Sequence, residues 1–182
     1  MSYYISDTMS ISSDPCVPHG GGYGGRGAKD GGAVYGYAKF PTLPGSGAGR
    51  ASNPYGGAGG GLVWLNIGRW LHLDGTLNAK GMDGGGTHGS GGSGGGICVV
   101  TPEIVCGEGA LMNANGGSSN TGASDGSKGG GGRIAVLTET GAEPANLVTT
   151  VLYGQSGKDT SKLESGTVYF GKLPGGLRVL VR

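Results

Sequence analysis

Three cysteines, three histidines and twelve acidic side chains are the residues of this 182-residue chain best suited to chemistry. Cys98 and Cys106 bracket a C-x7-C segment, and Cys16 stands apart. A zinc site of zinc-finger type wants two closely spaced pairs. His19, His72 and His88 are scattered, so the cysteines read as small buried residues or one disulfide rather than as metal ligands. No G-x-x-x-x-G-K-S/T motif is present: Gly126-Ser127-Lys128 has the wrong order for a phosphate loop, and no helix pattern follows it. Asp30, Asp83 and Asp125 each precede a glycine and read as turn residues. They lack the nine-residue spacing of calcium-binding repeats.

Cleavage of a polysaccharide needs two carboxylates brought together at a defined separation. When the chain is laid in a 35-residue register, Asp74 falls on Gly109, Glu103 on Gly68 and Thr138, Glu108 on Leu73, and Asp83 on Ser118. No acidic column forms. His72 and Asp74, two apart, match the solvent-facing side of a strand. The sequence therefore predicts no catalytic residue, no metal and no cofactor.

The elements that would carry these residues are constrained by glycine, which supplies 46 of the 182 positions. Interior glycines cost a helix about 0.5–1 kcal/mol each, and few windows here lack one. A collagen helix is excluded because glycine does not recur at every third position. Disorder throughout is excluded by clustered apolar runs at Leu62–Ile67, Ile97–Val100 and Arg133–Leu137. A net charge of +1, with only 14% charged residues, gives no field to draw in nucleic acid or anionic lipid. No apolar run reaches the roughly 18 residues of a membrane-spanning helix. The opening MSYYISDTMS lacks the basic and apolar regions of a signal peptide, so a soluble single domain is expected.

The apolar runs recur. Gly56–Leu65 superposes without gaps on Gly91–Val100 at 35 residues, and Leu77-Asn78-Ala79-Lys80-Gly81 falls on Met112-Asn113-Ala114-Asn115-Gly116 at the same offset. A third copy runs from Gly129 through Leu147-Val148-Thr149, a fourth begins at Gly166, and Met9–Asp14 resembles the second half of an earlier unit. Each unit reads as a glycine run, a strand, a turn, a second short strand and a polar excursion. Such units bury their apolar faces only against one another. The predicted fold is thus all-β: a right-handed parallel β-solenoid of four to five coils over residues 1–182, with strands at 62–67, 97–101, 133–138 and 167–170, and a long Gly/Tyr-rich insertion at 15–55. Asn78 is expected to stack over Asn113, and runs such as Gly20–Gly25 and Gly84–Gly86 to pack as side-chain-free layers. The alternative is a bundle of polyglycine-II helices, in which the Leu62 and Ile97 segments do not pair.

Aromatic side chains are the remaining candidates for contact. Trp64 and Trp70 lie in one strand and turn, while Tyr23, Tyr35, Tyr37 and Tyr55 punctuate the insertion. These tyrosines anchor the insertion by burial or, as the sharper reading, form a glycan or partner surface. Dispersed Lys and Arg argue against nucleic acid. Tyr3–Ser6 and Leu177–Arg182 read as uncapped terminal strands, predicting pairing with further copies or neighbouring chains.

The ordered series GGGYGGRG (20–27), GGAVYG (31–36), GGAGGGLVWLNI (56–67), DGTLNAKG (74–81), GGSGGGI (91–97), GALMNANGG (109–117), GGGGRIAV (129–136) and GTVYF (166–170) resembles the glycine-rich, β-helix-like repeat modules of very large surface and extracellular proteins, adhesin-like or fibre- and virion-like. The resemblance covers nearly the whole chain. It implies a structural or adhesive role at a cell or virion surface, within an extracellular assembly, and it supplies no catalytic residue. A carbohydrate-binding module and a polysaccharide-active β-helix are the alternatives.

Overall fold

Side chains that alternate between core and solvent suit a pleated strand, whereas runs of glycine have no side chains to alternate. The chain accordingly divides its labour between two kinds of backbone. A computed structural model describes residues 19–49, 55–86, 89–119, 127–156 and 162–173. The expectations placed on Tyr3–Ser6, Met9–Asp14, Cys16, His88, Asp125 and Leu177–Arg182 lie outside the described residues. Among the described residues there are nine strands: β1 (Leu62–Asn66), β2 (Trp70–Leu73), β3 (Thr76–Asn78), β4 (Gly96–Val100), β5 (Glu103–Cys106), β6 (Leu111–Asn113), β7 (Arg133–Thr138), β8 (Val148–Thr150) and β9 (Thr167–Lys172). The described residues contain no helix, hence none long and apolar enough to cross a membrane.

The strands form three sheets with orders β1-β4-β7-β9, β2-β5 and β3-β6-β8, and every pairing is parallel. Successive units add one strand to each sheet in turn, except that no strand of the third unit joins β2 and β5. β2 and β5 occupy stretches where a turn is expected from sequence. The corner that follows each of them is turned by a glycine with positive φ, Gly75 at 143° and Gly109 at 92°. All three sheets contribute to one core, built from Ile97, Val99, Met112, Ile134 and Val136, with Leu73, Cys106 and Leu147 at its margins.

The strand register differs from the uniform 35-residue superposition. β1 pairs with β4 at 34 residues (Val63 with Ile97), and β2 with β5 at 33 (Leu71 with Ile104). β3 pairs with β6 at 35 (Asn78 with Asn113, as expected), and β4 with β7 at 37 (Ile97 with Ile134). Met112 likewise sits opposite Thr149, not Leu147. The reason is the pleat. A slip of one residue moves every side chain to the opposite face, and matching Leu62 to Ile97 would have set Trp64 in line with inward-facing Val99. The observed register stacks Val63, Ile97, Ile134 and Val168 in one row and Leu65, Val99, Val136 and Phe170 in another. Differences in unit length are absorbed in the corners.

Between strands, the glycine runs hydrogen-bond in a different pattern. Along the segment entering β4, the N–H of Gly91 donates to Ser127 O (2.8 Å), Gly92 to Met82 O (3.0 Å), Ser93 to Ser46 O (3.0 Å), Gly94 to Gly130 O (3.0 Å) and Gly95 to Ala79 O (2.8 Å). Residues three apart reach the same neighbour: 91 and 94 bond the segment at 127–130, and 92 and 95 the segment at 79–82. Carbonyls of the same run accept from Gly21, Gly57, Gly60, Gly117 and Arg133. A repeat of three belongs to the polyproline-II type of helix, and the run is ringed by other extended segments. The Leu62 and Ile97 strands do pair, against the pure bundle, and the glycine runs pack side by side as expected. Glycine is obligatory at these contacts. A Cβ at Gly60 would lie 2.0 Å from Ala79 O, and one at Gly131 would lie 1.9 Å from Val151 O.

The insertion takes part in this lattice. Gly20, Gly21 and Gly25 are laced to Ala28, Gly91 and Gly131, and Gly45 and Ala48 to Gly60 and Gly57.

Candidate interaction surface

On the four-stranded sheet, residues alternate between the core and an outer face, and the outer face is not bare. In register across it run Trp64, Cys98, Ala135 and Tyr169, two aromatic walls around a floor of two small residues. The floor is fully buried and belongs to a second apolar cluster with Val100 and Leu137, against which Tyr169 and Leu173 pack. What crosses above is the insertion. Phe40 meets Trp64 edge to face (4.9 Å between ring centroids, 88°), and Lys39 Nζ lies 5.5 Å over the Tyr169 ring.

One row along, Leu62, Gly96, Arg133 and Thr167 are in register. Arg133 is buried, and its fork holds the insertion down. Nε and Nη2 both donate to Tyr35 O (3.1 and 2.8 Å), and Nη1 donates to Thr167 Oγ1 (3.0 Å). Its guanidinium sits 5.4 Å from the Tyr23 ring centroid. Tyr23 and Tyr35 pack ring to ring at 4.8 Å. Gly96 makes room for this arrangement, since a Cβ there would lie 2.8 Å from Leu43 O. Burial lowers the Arg133 pKa, opposed by the two tyrosines. Burial also raises the Tyr23 pKa, opposed by the Leu43 backbone and by Arg133.

The four candidate tyrosines thus separate. Tyr23 is 0% exposed, so as a contact residue it is corrected: its ring fills space beneath the insertion. Tyr35 is half-buried and donates its hydroxyl to Pro44 O (2.7 Å). Tyr37 and Tyr55 present 69% and 77% of their surface to solvent. Only Tyr23 and Tyr35 are brought together. Phe40, Leu43, Leu62 and Trp64 add partly exposed apolar surface along the β1 side of the insertion. Sequence reasoning passed over Arg133 and Phe40. Arg133 was detectable, because it stands at the head of a strand where the other units carry Leu62 and Gly96.

Cys98 and Cys106 are free thiols in separate apolar clusters, so the two do not form a disulfide with each other. Burial pushes the Cys98 thiol up to about 11 and raises that of Cys106. Among the described residues no three His, Cys, Asp or Glu side chains gather to hold a metal. Glu103 is paired in register with Trp70, and Asp74 lies against Gly107, rather than each falling on the positions a 35-residue offset gives. Asp30 forms an ion pair with Lys162, whose hydrogen bond lowers its pKa. Comparison with protein-family models, curated proteins and solved structures found no match.

Proposed function

We propose that the chain is a structural module of a surface or extracellular assembly, a right-handed parallel β-solenoid whose coils are the strand units above, with adhesion as its activity. One observation carries this reading. The glycine runs and the three sheets are joined by main-chain hydrogen bonds, as where Gly94 bonds Gly130 and Arg133 bonds Gly95, so the polar groups of the interior hold the scaffold together. Stiffness of that kind suits a load-bearing or display element. β1 and β9 are the outer strands of the large sheet, and among the described residues each has one side without a strand partner, an arrangement that favours association with further chains. Sedimentation velocity across the micromolar range tests the reading: concentration-dependent growth into linear assemblies supports it, and a non-associating monomer counts against it.

A carbohydrate-binding role is the second reading, favoured by the exposure of Tyr37 and Tyr55. Glycan-array binding lost in Tyr37→Ala or Tyr55→Ala would place it first.

A further inference from the structure

We propose that residues 36–44 form a strap that opens independently of the sheets and the glycine lattice, uncovering an apolar trough on the outer face of the four-stranded sheet. The inference holds whether the module is structural or binds glycans.

The ends of the strap are fixed. On one side Tyr35 N–H donates to Tyr23 O (3.0 Å) and Tyr35 O receives the Arg133 fork. On the other, Gly45 N–H donates to Gly60 O (2.9 Å) and Ser46 N–H to Ser93 Oγ (2.8 Å). Between these anchors, among the described residues, no hydrogen bond between two main-chain groups ties residues 36–44 to a sheet or to the lattice. Hold-down comes from side chains: the Phe40–Trp64 and Lys39–Tyr169 ring contacts, buried Pro41, the Tyr35 hydroxyl donating to Pro44 O (2.7 Å) and the Tyr23 hydroxyl against the Leu43 backbone. Lys39 and Phe40 are consecutive, yet they reach the walls supplied by β9 and β1, the two outermost strands. The strap therefore runs over the floor of Cys98 and Ala135, spanning three strand spacings, about 14 Å. Segments with few main-chain bonds and exposed side chains open at low cost relative to the whole, and Tyr37 and Phe40 are exposed here. Gly36, with φ at +70°, sits at one end as a pivot.

Cys98, fully buried under the strap, reports its opening, and Cys106, at the margin of the inner core where β5 ends and 8% exposed, reports fluctuations away from the strap. The experiment labels the full chain, carrying Cys16→Ser, with N-ethylmaleimide and reads each thiol by peptide mass spectrometry from 0 to 1 M urea. The expected result is Cys98 labelling that is nearly independent of urea, with Phe40→Ala raising the Cys98 rate at least tenfold and leaving Cys106, whose exposure does not involve the strap, unmoved. Arg133→Lys, which loosens one anchor, is expected to act in the same direction. A Cys98 rate that climbs with urea as global unfolding does, no Cys98 labelling short of global unfolding, or acceleration of both thiols together by Phe40→Ala would each overturn the proposal.

Discussion

Replacing Gly94 with Ala adds a single methyl group, yet the lattice has no place for it. The new Cβ would lie 1.9 Å from Ala114 O and 2.6 Å from Gly132 N, so one of the three segments must retreat by more than about 1 Å to restore ordinary contact. Those same atoms form the Gly132 N–H to Ala114 O bond (2.8 Å), and Gly94 N–H itself donates to Gly130 O (3.0 Å). Leaving two buried pairs unmade costs about 1–3 kcal/mol each, and the overpacking adds about 1–3 kcal/mol. The expected loss is therefore at least about 3 kcal/mol, a large part of a domain stability of about 5–15 kcal/mol. Gly61 is the control: a Cβ there meets nothing within 4 Å, and Ala at a position of ordinary φ gains about 0.4–1 kcal/mol by restricting the unfolded chain. Urea unfolding, followed by the fluorescence of Trp64 and Trp70, compares the two variants. Unfolding free energies for Gly94→Ala and Gly61→Ala within about 0.5 kcal/mol of each other would refute the steric account of the lattice.

Arg133→Lys is expected to cost about 1–3 kcal/mol in urea unfolding, because a point charge cannot serve Tyr35 O and Thr167 Oγ1 together as the planar fork does. Cys98 predicts a pH dependence. Its folded pKa stands above the ordinary thiol value at about 11, so its stabilising contribution is complete below pH 9 and is lost as pH rises to about 11. Urea midpoints should fall over that window, by up to about 2–3 kcal/mol, and the fall should be reduced in Cys98→Ala. Asn115→Ala removes the Oδ1 that accepts from both Thr150 Oγ1 and Leu152 N–H (2.7 Å each). A loss of about 1–3 kcal/mol in thermal or urea unfolding is expected.

The spacing of glycine runs made the repeat legible, and with it the parallel pairing of β1, β4, β7 and β9. It could not set the register, because glycine runs look alike under a shift of one residue while the pleat does not. Val63, Ile97, Ile134 and Val168 settle the alignment once strands must stack like on like. β2 and β5 were hidden by their brevity: Trp70-Leu71-His72-Leu73 alternates for too few residues to stand out from a turn. Asn78 over Asn113 was readable because both sit in the same short motif, and each makes the same local bond, Asn78 Oδ1 to Lys80 N–H and Asn113 Oδ1 to Asn115 N–H. The candidate surface was the least readable part. Whether Tyr23 or Tyr37 faces water depends on how the insertion crosses the sheet, and that path is set by Arg133 and Trp64, far away in sequence.

The glycine lattice also has a calorimetric consequence. Unfolding an ordinary core exposes apolar surface and raises the heat capacity by about 0.45 cal/K/mol per Å2, whereas exposing amide surface lowers it by about 0.26. Much of what is buried between residues 20 and 25, 90 and 95, and 127 and 132 is peptide group. The heat-capacity increment per residue should therefore fall below the usual 12–15 cal/mol/K of globular domains, roughly as the share of peptide in the interior dictates. A small increment flattens the dependence of stability on temperature. Such a protein holds its folded state over a broad thermal range and loses little of it on cooling, where domains that rest on apolar burial weaken.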